Sequence, residues 1–305
     1  MRRPGDPYDV LVVGGGMAGL TASHHAALRG MAVVCIDEGG HMGGLVMNVS
    51  DITGYPAMGT VSGAELAAGQ LEAILELGVE IVPDTAMGFS IDGDVKTVVT
   101  GMGDHKAKHV ILASGARLKK LGVSGEENFF GRGVSQCADC DAGFFVDQKV
   151  VVVGGGDAAL QEALHLVDYV SEIVLVTRGD GLRARHSYVT QAAKNPKFSF
   201  KWGMEITEIH GSDGVEGVRL RPSGGGDQEE LDCTGVFVFV GLEPNVAYLP
   251  TGIARDESGF VQTDTSFKTS ADGVYAVGAV RAGFSGQLAS AAGEAASVVC
   301  LLPVS

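Results

Sequence analysis

Two thiols and two carboxyls stand together in the stretch Cys137-Ala138-Asp139-Cys140-Asp141. Cysteines two residues apart can close a small ring, so a disulfide that opens and recloses without unfolding anything is geometrically possible. The same spacing is also half of a zinc knuckle, which needs a second pair of Cys or His ligands. None is in view, because Cys35, Cys233 and Cys300 lie singly in apolar runs and read as small buried hydrophobes; no metal site is expected. Carboxylates beside a thiol raise its pKa, so a self-activated nucleophile does not fit Asp139 and Asp141. A dithiol driven by a tightly held electron carrier, with an adjacent carboxyl as proton donor and acceptor, does.

Glycine-rich turns flank that pair on both sides. Tyr8 to Val13 is a compact apolar strand leading into Gly14-Gly15-Gly16-Met17-Ala18-Gly19, followed by a helical stretch from Leu20 to Arg29 and a second strand, Ala32 to Ile36, ending at Asp37-Glu38. Strand, GxGxxG, helix, strand and acid is the dinucleotide fingerprint: Gly14, Gly16 and Gly19 with Ala18 form the turn, the helix N-terminus faces a pyrophosphate, and Glu38 takes ribose hydroxyls. The pattern restarts after the cysteines, with a strand from Lys149 to Val153, the turn Gly154-Gly155-Gly156-Asp157-Ala158-Ala159, a helix from Leu160 to Leu166 and a strand from Glu172 to Val176. Here the third small position is Ala159, and the strand ends in Thr177-Arg178 where an acid would select a free ribose hydroxyl. Arg178 and Arg183 suit the 2'-phosphate of NADP, although two solvated surface arginines would look the same.

The elements between these motifs must position them. Gly43-Gly44 marks a loop, and Gly63 to Leu77 reads as an amphipathic helix with Leu66, Leu71, Ile74 and Leu75 inward. Val79 to Val82, Ser90 to Ile91 and Val95 to Thr100 are short strands with Asp92-Gly93 as a hairpin signal, and His109 to Ala113 is a further strand closed by Ser114-Gly115-Ala116. Strands near Phe198 to Trp202, Ile206 to His210, Val215 to Arg221 and Val236 to Val240 follow, then Gly273 to Val277, Gly278-Ala279 and an Ala-rich helix from Leu288 to Cys300. The last strand and helix look like a return to the first nucleotide unit, so the second unit is inserted in the first.

Composition narrows the partners. A chain of 305 residues can bury a large core, and its formal charge of -15 leaves no basic stripe for nucleic acid or an anionic membrane. Its 46 glycines point to backbone amides as the phosphate-binding device. The start Met1-Arg2-Arg3 resembles the basic end of a signal peptide, but the apolar run after it is short and glycine-broken. No run is apolar and long enough to span a bilayer, and Cys300 is too far from the C-terminus for prenylation. A cytoplasmic chain is expected, where a CxxC pair is more often catalytic than structural.

The ordered set of motifs resembles the low-molecular-weight thioredoxin reductase family over essentially the whole chain. The matching pieces are Gly14 to Gly19, Gly43-Gly44, Ala113-Ser114-Gly115-Ala116, the Cys137 to Asp141 segment, Gly154 to Ala159, Gly241-Leu242-Glu243-Pro244-Asn245 and Val274-Tyr275-Ala276-Val277-Gly278. The resemblance implies an α/β fold of two Rossmann-like, three-layer ββα domains: an FAD-binding domain from residues 1–116 and 245–305, and an inserted NAD(P)H-binding domain, 117–244, carrying the CxxC pair. FAD would contact the first turn, Glu38, Gly43, Gly44, Ala113, Gly115, Gly278, Ala279 and Gln287. NADPH would take Gly154, Gly156, Asp157, Ala158, Ala159, Arg178 and Arg183. By the same resemblance Cys140 sits against the flavin, Cys137 attacks the partner's disulfide, and Asp141 handles protons. A homodimer, a thioredoxin-like protein or small disulfide as substrate, and a rotation hinged near Arg117 and Glu243 to Asn245 are implied as well.

Three positions depart from the family pattern. Gly278-Ala279 replaces the Gly-Asp whose Asp holds the ribityl chain, Thr177-Arg178-Gly179 replaces His-Arg-Arg while Arg183 is kept, and Leu45 stands where a glutamine is expected although Gln287 is retained. The favoured expectation is a disulfide reductase passing electrons from NADPH through FAD to Cys137 and Cys140. The alternatives are a dithiol oxidase or a reductase using NADH or another donor, and a flavin-free scaffold.

Overall fold

Alternating strands and helices divide in the computed structural model into two units, residues 1–117 with 243–305, and residues 118–242. The structure describes residues 3, 5–39, 42–52, 55–56 and 59–303; Met1 and Arg2 of the basic start lie outside them. The first unit opens with β1 (Tyr8–Val13), α1 (Met17–Leu28) and β2 (Val33–Asp37), then α2 (Gly63–Glu76), β3 (Glu80–Pro83), β4 (Gly88–Asp92), β5 (Val95–Thr100), β6 (Gly103–Leu112) and β7 (Ala116–Leu118). Both nucleotide-turn helices begin three residues before their expected starts, because the last residues of a GxGxxG turn are already the first turn of the helix. Strand β6 is longer than the expected His109 to Ala113. Its N-terminal half pairs antiparallel with β5 and its C-terminal half parallel with β1, so one strand joins the β-meander to the parallel sheet.

The second unit runs through α3 (Glu126–Phe129), β8 (Val134–Ser135), α4 (Ala138–Asp141), β9 (Lys149–Val153), α5 (Asp157–Leu166), β10 (Glu172–Thr177), α6 (His186–Lys194), β11 (Phe198–Trp202), β12 (Met204–Gly211), β13 (Val215–Pro222), β14 (Glu229–Asp232) and β15 (Gly235–Val238). The chain then returns through β16 (Leu242–Pro244), β17 (Val274–Ala276) and α7 (Leu288–Leu301) to the first unit. Strands β7 and β16, which contain residues 116 and 244, pair as a two-stranded sheet.

Each unit is a three-layer stack around a parallel sheet. In the first, the order β3-β2-β1-β6, with β17 beside β6, is parallel, while β5 and β4 continue it antiparallel. One face buries Val10, Val12, Val33 and Cys35 against Leu20 and Ala22 of α1 and Ala295, Val298 and Val299 of α7. The other buries Leu11, Val34 and Ile36 with Phe89 and Val98 of the meander. In the second, the all-parallel sheet β11-β10-β9-β15-β8 packs Val150, Val152 and Leu175 against Leu160, Ala163 and Leu166 of α5, and Val151, Val153 and Val174 against the antiparallel sheet β12-β13-β14. Strands buried on both faces are continuous apolar runs, which is how Leu11 to Val13 and Val150 to Val153 read. The structure thus has the expected α/β class with two Rossmann-like units.

Candidate functional site

Short-range geometry makes Cys137 the N-cap of the four-residue helix α4, placing Cys140 one turn further on. The two sulfurs are joined in a disulfide with Cα atoms 5.3 Å apart. The N–H of Cys140 donates to Cys137 Sγ at 3.1 Å, a contact that stabilises negative charge on that sulfur once the bond is reduced. Asp141 ends the helix, and its Oδ2 accepts a hydrogen bond from Ser135 Oγ at 2.6 Å. The Ser135 hydroxyl in turn accepts the Cys137 N–H at 3.0 Å, so one side chain links the carboxyl to the first cysteine.

Residues that sequence reasoning passed over support this segment from α5. Glu162 Oε2 accepts the Ala138 N–H at 2.7 Å, and His165 Nδ1 lies 3.1 Å from Asp139 Oδ1. Burial pushes the Glu162 carboxyl above its ordinary range, aided by the Asp139 charge and opposed by the Ala138 N–H and by His165. Their signal is visible in hindsight: Glu162 and His165 are three apart, hence on one helix face.

The first glycine turn is built as a cradle within unit 1. Gly14 has φ +105° and a Cβ there would strike the Ala113 carbonyl, while a Cβ on Gly19 would strike Gly14 O. Gly16, by contrast, has only Gly43 O, at 3.9 Å, near its missing Cβ among the described residues. Two glycines close the turn and the middle one leaves backbone open, the arrangement a pyrophosphate requires at the N-terminus of α1. Gly43 joins this turn through its N–H to Gly15 O at 2.8 Å. A Cβ on Gly44 would lie 3.2 Å from Gly16 Cα. Gly278 packs on the same turn, since a Cβ there would come within 2.9 Å of Ala18 Cβ. Its N–H donates to Glu294 Oε2 at 2.8 Å, and Glu294 is ion-paired with Arg281 at 2.5 Å, both nearly buried. Ala279 follows, half-buried.

The remaining expected FAD residues fall as follows. Gly115, at φ +65°, sits in a turn closed by Asn245, which donates from its N–H to Gly115 O at 3.1 Å and from Nδ2 to Ser114 O at 2.9 Å. Gln287 is the N-cap of α7. Strand β2 runs one residue further than expected, to Asp37, whose Oδ2 accepts the Gly15 N–H at 2.6 Å, and Glu38 follows it, exposed.

The second turn repeats the construction within unit 2. Gly154, φ +141°, has no room for a side chain: a Cβ there would lie 2.3 Å from Phe239 O and 2.9 Å from Ala159 Cβ, so the alanine in the third position packs here against a bare glycine. A Cβ on Gly156 would meet no described atom within 4 Å. Asp157 Oδ1 and Oδ2 accept from Arg185 N at 2.7 Å and Nε at 3.1 Å; Ala158 is exposed next to it. Arg183 donates its backbone N–H to Gly155 O at 2.7 Å, which folds the arginine loop over the turn. Among the described residues none hydrogen-bonds to the guanidinium of Arg178 or Arg183, and both are exposed, as groups awaiting an anion would be. Both turns therefore have the backbone geometry a dinucleotide needs, the first braced by Asp37 and the second followed by the exposed Arg178 and Arg183.

Comparison with known proteins agrees with this geometry. Residues 8–296 match the family described as pyridine nucleotide-disulphide oxidoreductase. The chain is 39% identical over 274 residues to the thioredoxin reductase of Mycolicibacterium smegmatis, covering 89% of this chain and 88% of that protein. Against the thioredoxin reductase of Bacillus subtilis it is 35% identical over 290 residues, 94% of this chain and 91% of the other. The crystal structure of Lactococcus lactis thioredoxin reductase superposes with a TM-score of 0.91 at 35% identity, covering 96% of this chain and 97% of that one. A family match over nearly the whole length, together with a formed CxxC disulfide and two nucleotide cradles, places the chain in the low-molecular-weight thioredoxin reductase family of pyridine nucleotide-disulphide oxidoreductases, flavin-dependent enzymes that use FAD and NADPH.

Proposed function

We propose that this disulfide oxidoreductase reduces the disulfide of a thioredoxin-like protein in the cytoplasm, working as a homodimer. The observation that carries the proposal is the Cys137–Cys140 disulfide with Asp141 held beside it by Ser135. Bound NADPH supplies a hydride and bound FAD relays its two electrons to the disulfide. Unit 1 binds FAD through Gly14, Gly16, Ala18, Gly19, Glu38, Gly43, Gly44, Ala113, Gly115, Gly278, Ala279 and Gln287, with Asp37 bracing the turn through the Gly15 N–H. Unit 2 binds NADPH through Gly154, Gly156, Asp157, Ala158, Ala159, Arg178 and Arg183.

Two electrons break the S–S bond, and one proton, delivered through Asp141, leaves a thiolate on Cys137 and a thiol on Cys140. The Cys137 thiolate, stabilised by the Cys140 N–H, attacks one sulfur of the partner's disulfide, and the other leaves as a thiolate. Cys140 then attacks Cys137 Sγ, restoring the ring and releasing the partner's second sulfur. Asp141 carries the proton that Cys140 gives up and delivers it to a departing thiolate. Serving both cofactor and partner calls for a pivot, placed at residues 117 and 243, where Arg117 Nε donates to Glu243 Oε1 at 2.5 Å and Nη1 to Asn245 Oδ1 at 3.2 Å.

Steady-state assays with NADPH, NADH or no nicotinamide, each against thioredoxin and small disulfides, test the reading. NADPH-dependent reduction of thioredoxin that is abolished in Cys137→Ser is the expected result. Turnover with dithiols and oxygen alone, with no response to either nicotinamide, would replace it with a dithiol oxidase.

A further inference from the structure

Trp202, the chain's one tryptophan, ends the edge strand β11. It pairs in register with Thr177, the last residue of β10, so it stands at the C-terminal edge of a parallel sheet directly beside the start of the arginine loop. Ligands of open α/β sheets bind beyond that edge. The turn after Trp202 is tied to the same loop, because Gly203 N–H donates to Gly179 O at 3.0 Å. Thr177 in turn faces the glycine turn, its Oγ1 lying 3.0 Å from where a Gly155 Cβ would be.

The indole is unusually well supported for an exposed side chain. Its ring stacks on Phe200 at 5.0 Å with an interplanar angle of 2°, and Phe200 lies over Phe198 at 6.1 Å. Alternation along β11 puts all three rings on the face covered by α5 and α6, where Phe198 and Phe200 pack into the core. The column leaves Trp202 with 42% of its surface exposed. A flat aromatic surface stacked on a core ring and partly exposed, beside the loop that carries two guanidiniums with no partner among the described residues, has the chemistry of a purine site: a π-face for the base and cations for the phosphate on its ribose.

We propose that Trp202 is the stacking platform for the adenine ring of the dinucleotide bound by unit 2, set so that the 2'-phosphate reaches Arg178 and Arg183. This rests on the NADPH reading of unit 2. It divides the nucleotide's recognition into two parts: the indole reads the base without regard to the 2'-phosphate, and the arginines read the phosphate. Gly179, where the family pattern carries a further arginine, raises the share of the binding that falls to the base contact.

The single tryptophan allows a direct test on the whole enzyme, by emission and calorimetry, with 2',5'-ADP, 5'-AMP and nicotinamide mononucleotide as probes. Both adenine ligands are expected to change the emission saturably, and the mononucleotide, which has no adenine, to leave it unaltered. Trp202→Ala should weaken 2',5'-ADP and 5'-AMP alike by about 5- to 100-fold, with Trp202→Phe retaining most of the affinity. Arg183→Ala should weaken 2',5'-ADP far more than 5'-AMP and leave the emission change at saturation intact. Calorimetric binding of 2',5'-ADP with no emission change and with full affinity in Trp202→Ala would overturn the platform while leaving NADPH binding in place. No binding of 2',5'-ADP to the folded wild type would overturn both.

Discussion

The Glu162 carboxylate accepts the backbone N–H of Ala138 at 2.7 Å, so α5 holds the residue that follows the first redox cysteine. Ala138 is fully buried, and losing its acceptor leaves an orphaned amide that costs ~1 to 3 kcal/mol. Glu162→Ala is expected to lower stability by that amount and to slow partner reduction, while Glu162→Gln keeps an acceptor oxygen and activity. The pH dependence has a definite sign. Burial holds the folded-state pKa above the ordinary value, so the folded protein binds the proton more tightly than the unfolded chain, and the stability contributed by Glu162 falls as pH rises through the window between the two values. Thermal midpoints should therefore be similar for wild type and Glu162→Gln below that window, with the Gln variant gaining above it. A difference that stays constant across pH would contradict the assignment.

Thiol reactivity should separate the five cysteines. Cys35 and Cys233 are buried, and burial pushes both thiols up to about 12, out of reach of alkylation near neutral pH. Cys300 is exposed, and Cys137 and Cys140 are bonded. Native oxidised protein is expected to release one equivalent of colour with a thiol reagent and mild reduction to raise that to three. Five equivalents without denaturant would show that the two cores open readily.

The two nucleotide turns and the CxxC pair were legible in the sequence because each depends on residue type at fixed local spacing. Helix α6 was not, since His186–Lys194 carries few apolar residues and buries only Ala192 fully. The N-terminal half of β6 escaped for a related reason: Asp104, Lys106 and Lys108 alternate outward on a meander strand and look like loop. The bond from the Gly15 N–H to Asp37 turned on a single residue of strand length, which local pattern does not resolve. The contacts of Glu162, His165 and Trp202 depend on register between elements, and no spacing along the chain encodes that.

Arg281 and Glu294 form an ion pair with side chains 16% and 10% exposed, and Glu294 also accepts the Gly278 N–H. Removing one partner of such a pair strands a charge, at a cost of about 3 to 5 kcal/mol. Glu294→Ala should therefore lower the thermal midpoint markedly and, through Gly278 and Ala18, loosen FAD. Arg281→Ala should destabilise by a similar amount, and the double variant by much less than the sum. Additive losses would mean the two side chains act independently.

Ala279 follows Gly278 where the family pattern has an aspartate toward the ribityl chain. A restored carboxylate accepting from a hydroxyl adds a charge-assisted hydrogen bond worth ~1.5 to 3 kcal/mol. The wild type is expected to bind FAD and to lose it on dilution more readily than Ala279→Asp, whose FAD affinity should rise by about 10- to 100-fold. Equal flavin content in both after exhaustive dialysis would show that the missing contact is supplied elsewhere.

Gly179 bears on the choice of electron donor. Losing one arginine from the three expected around the 2'-phosphate removes a charge-assisted contact worth ~1.5 to 3 kcal/mol, so NADPH should bind weakly and exceed NADH by a small margin. Arg178 and Arg183 keep the preference from vanishing, and Arg185 does not substitute freely because Asp157 holds its backbone N–H and its guanidinium. The site has room for the missing side chain: a Cβ on Gly179 would have its nearest neighbour, Gly181 O, at 3.6 Å, and its φ lies outside the left-handed region. Gly179→Arg is therefore expected to fold normally and to widen the ratio of kcat/KM for NADPH over NADH by about 10- to 100-fold, through KM and with kcat nearly unchanged. The added charge should also make that ratio fall as salt rises, since an exposed phosphate contact is screened. If the ratio in the variant equals that of the wild type at low salt, the 2'-phosphate is not read by the loop that follows β10.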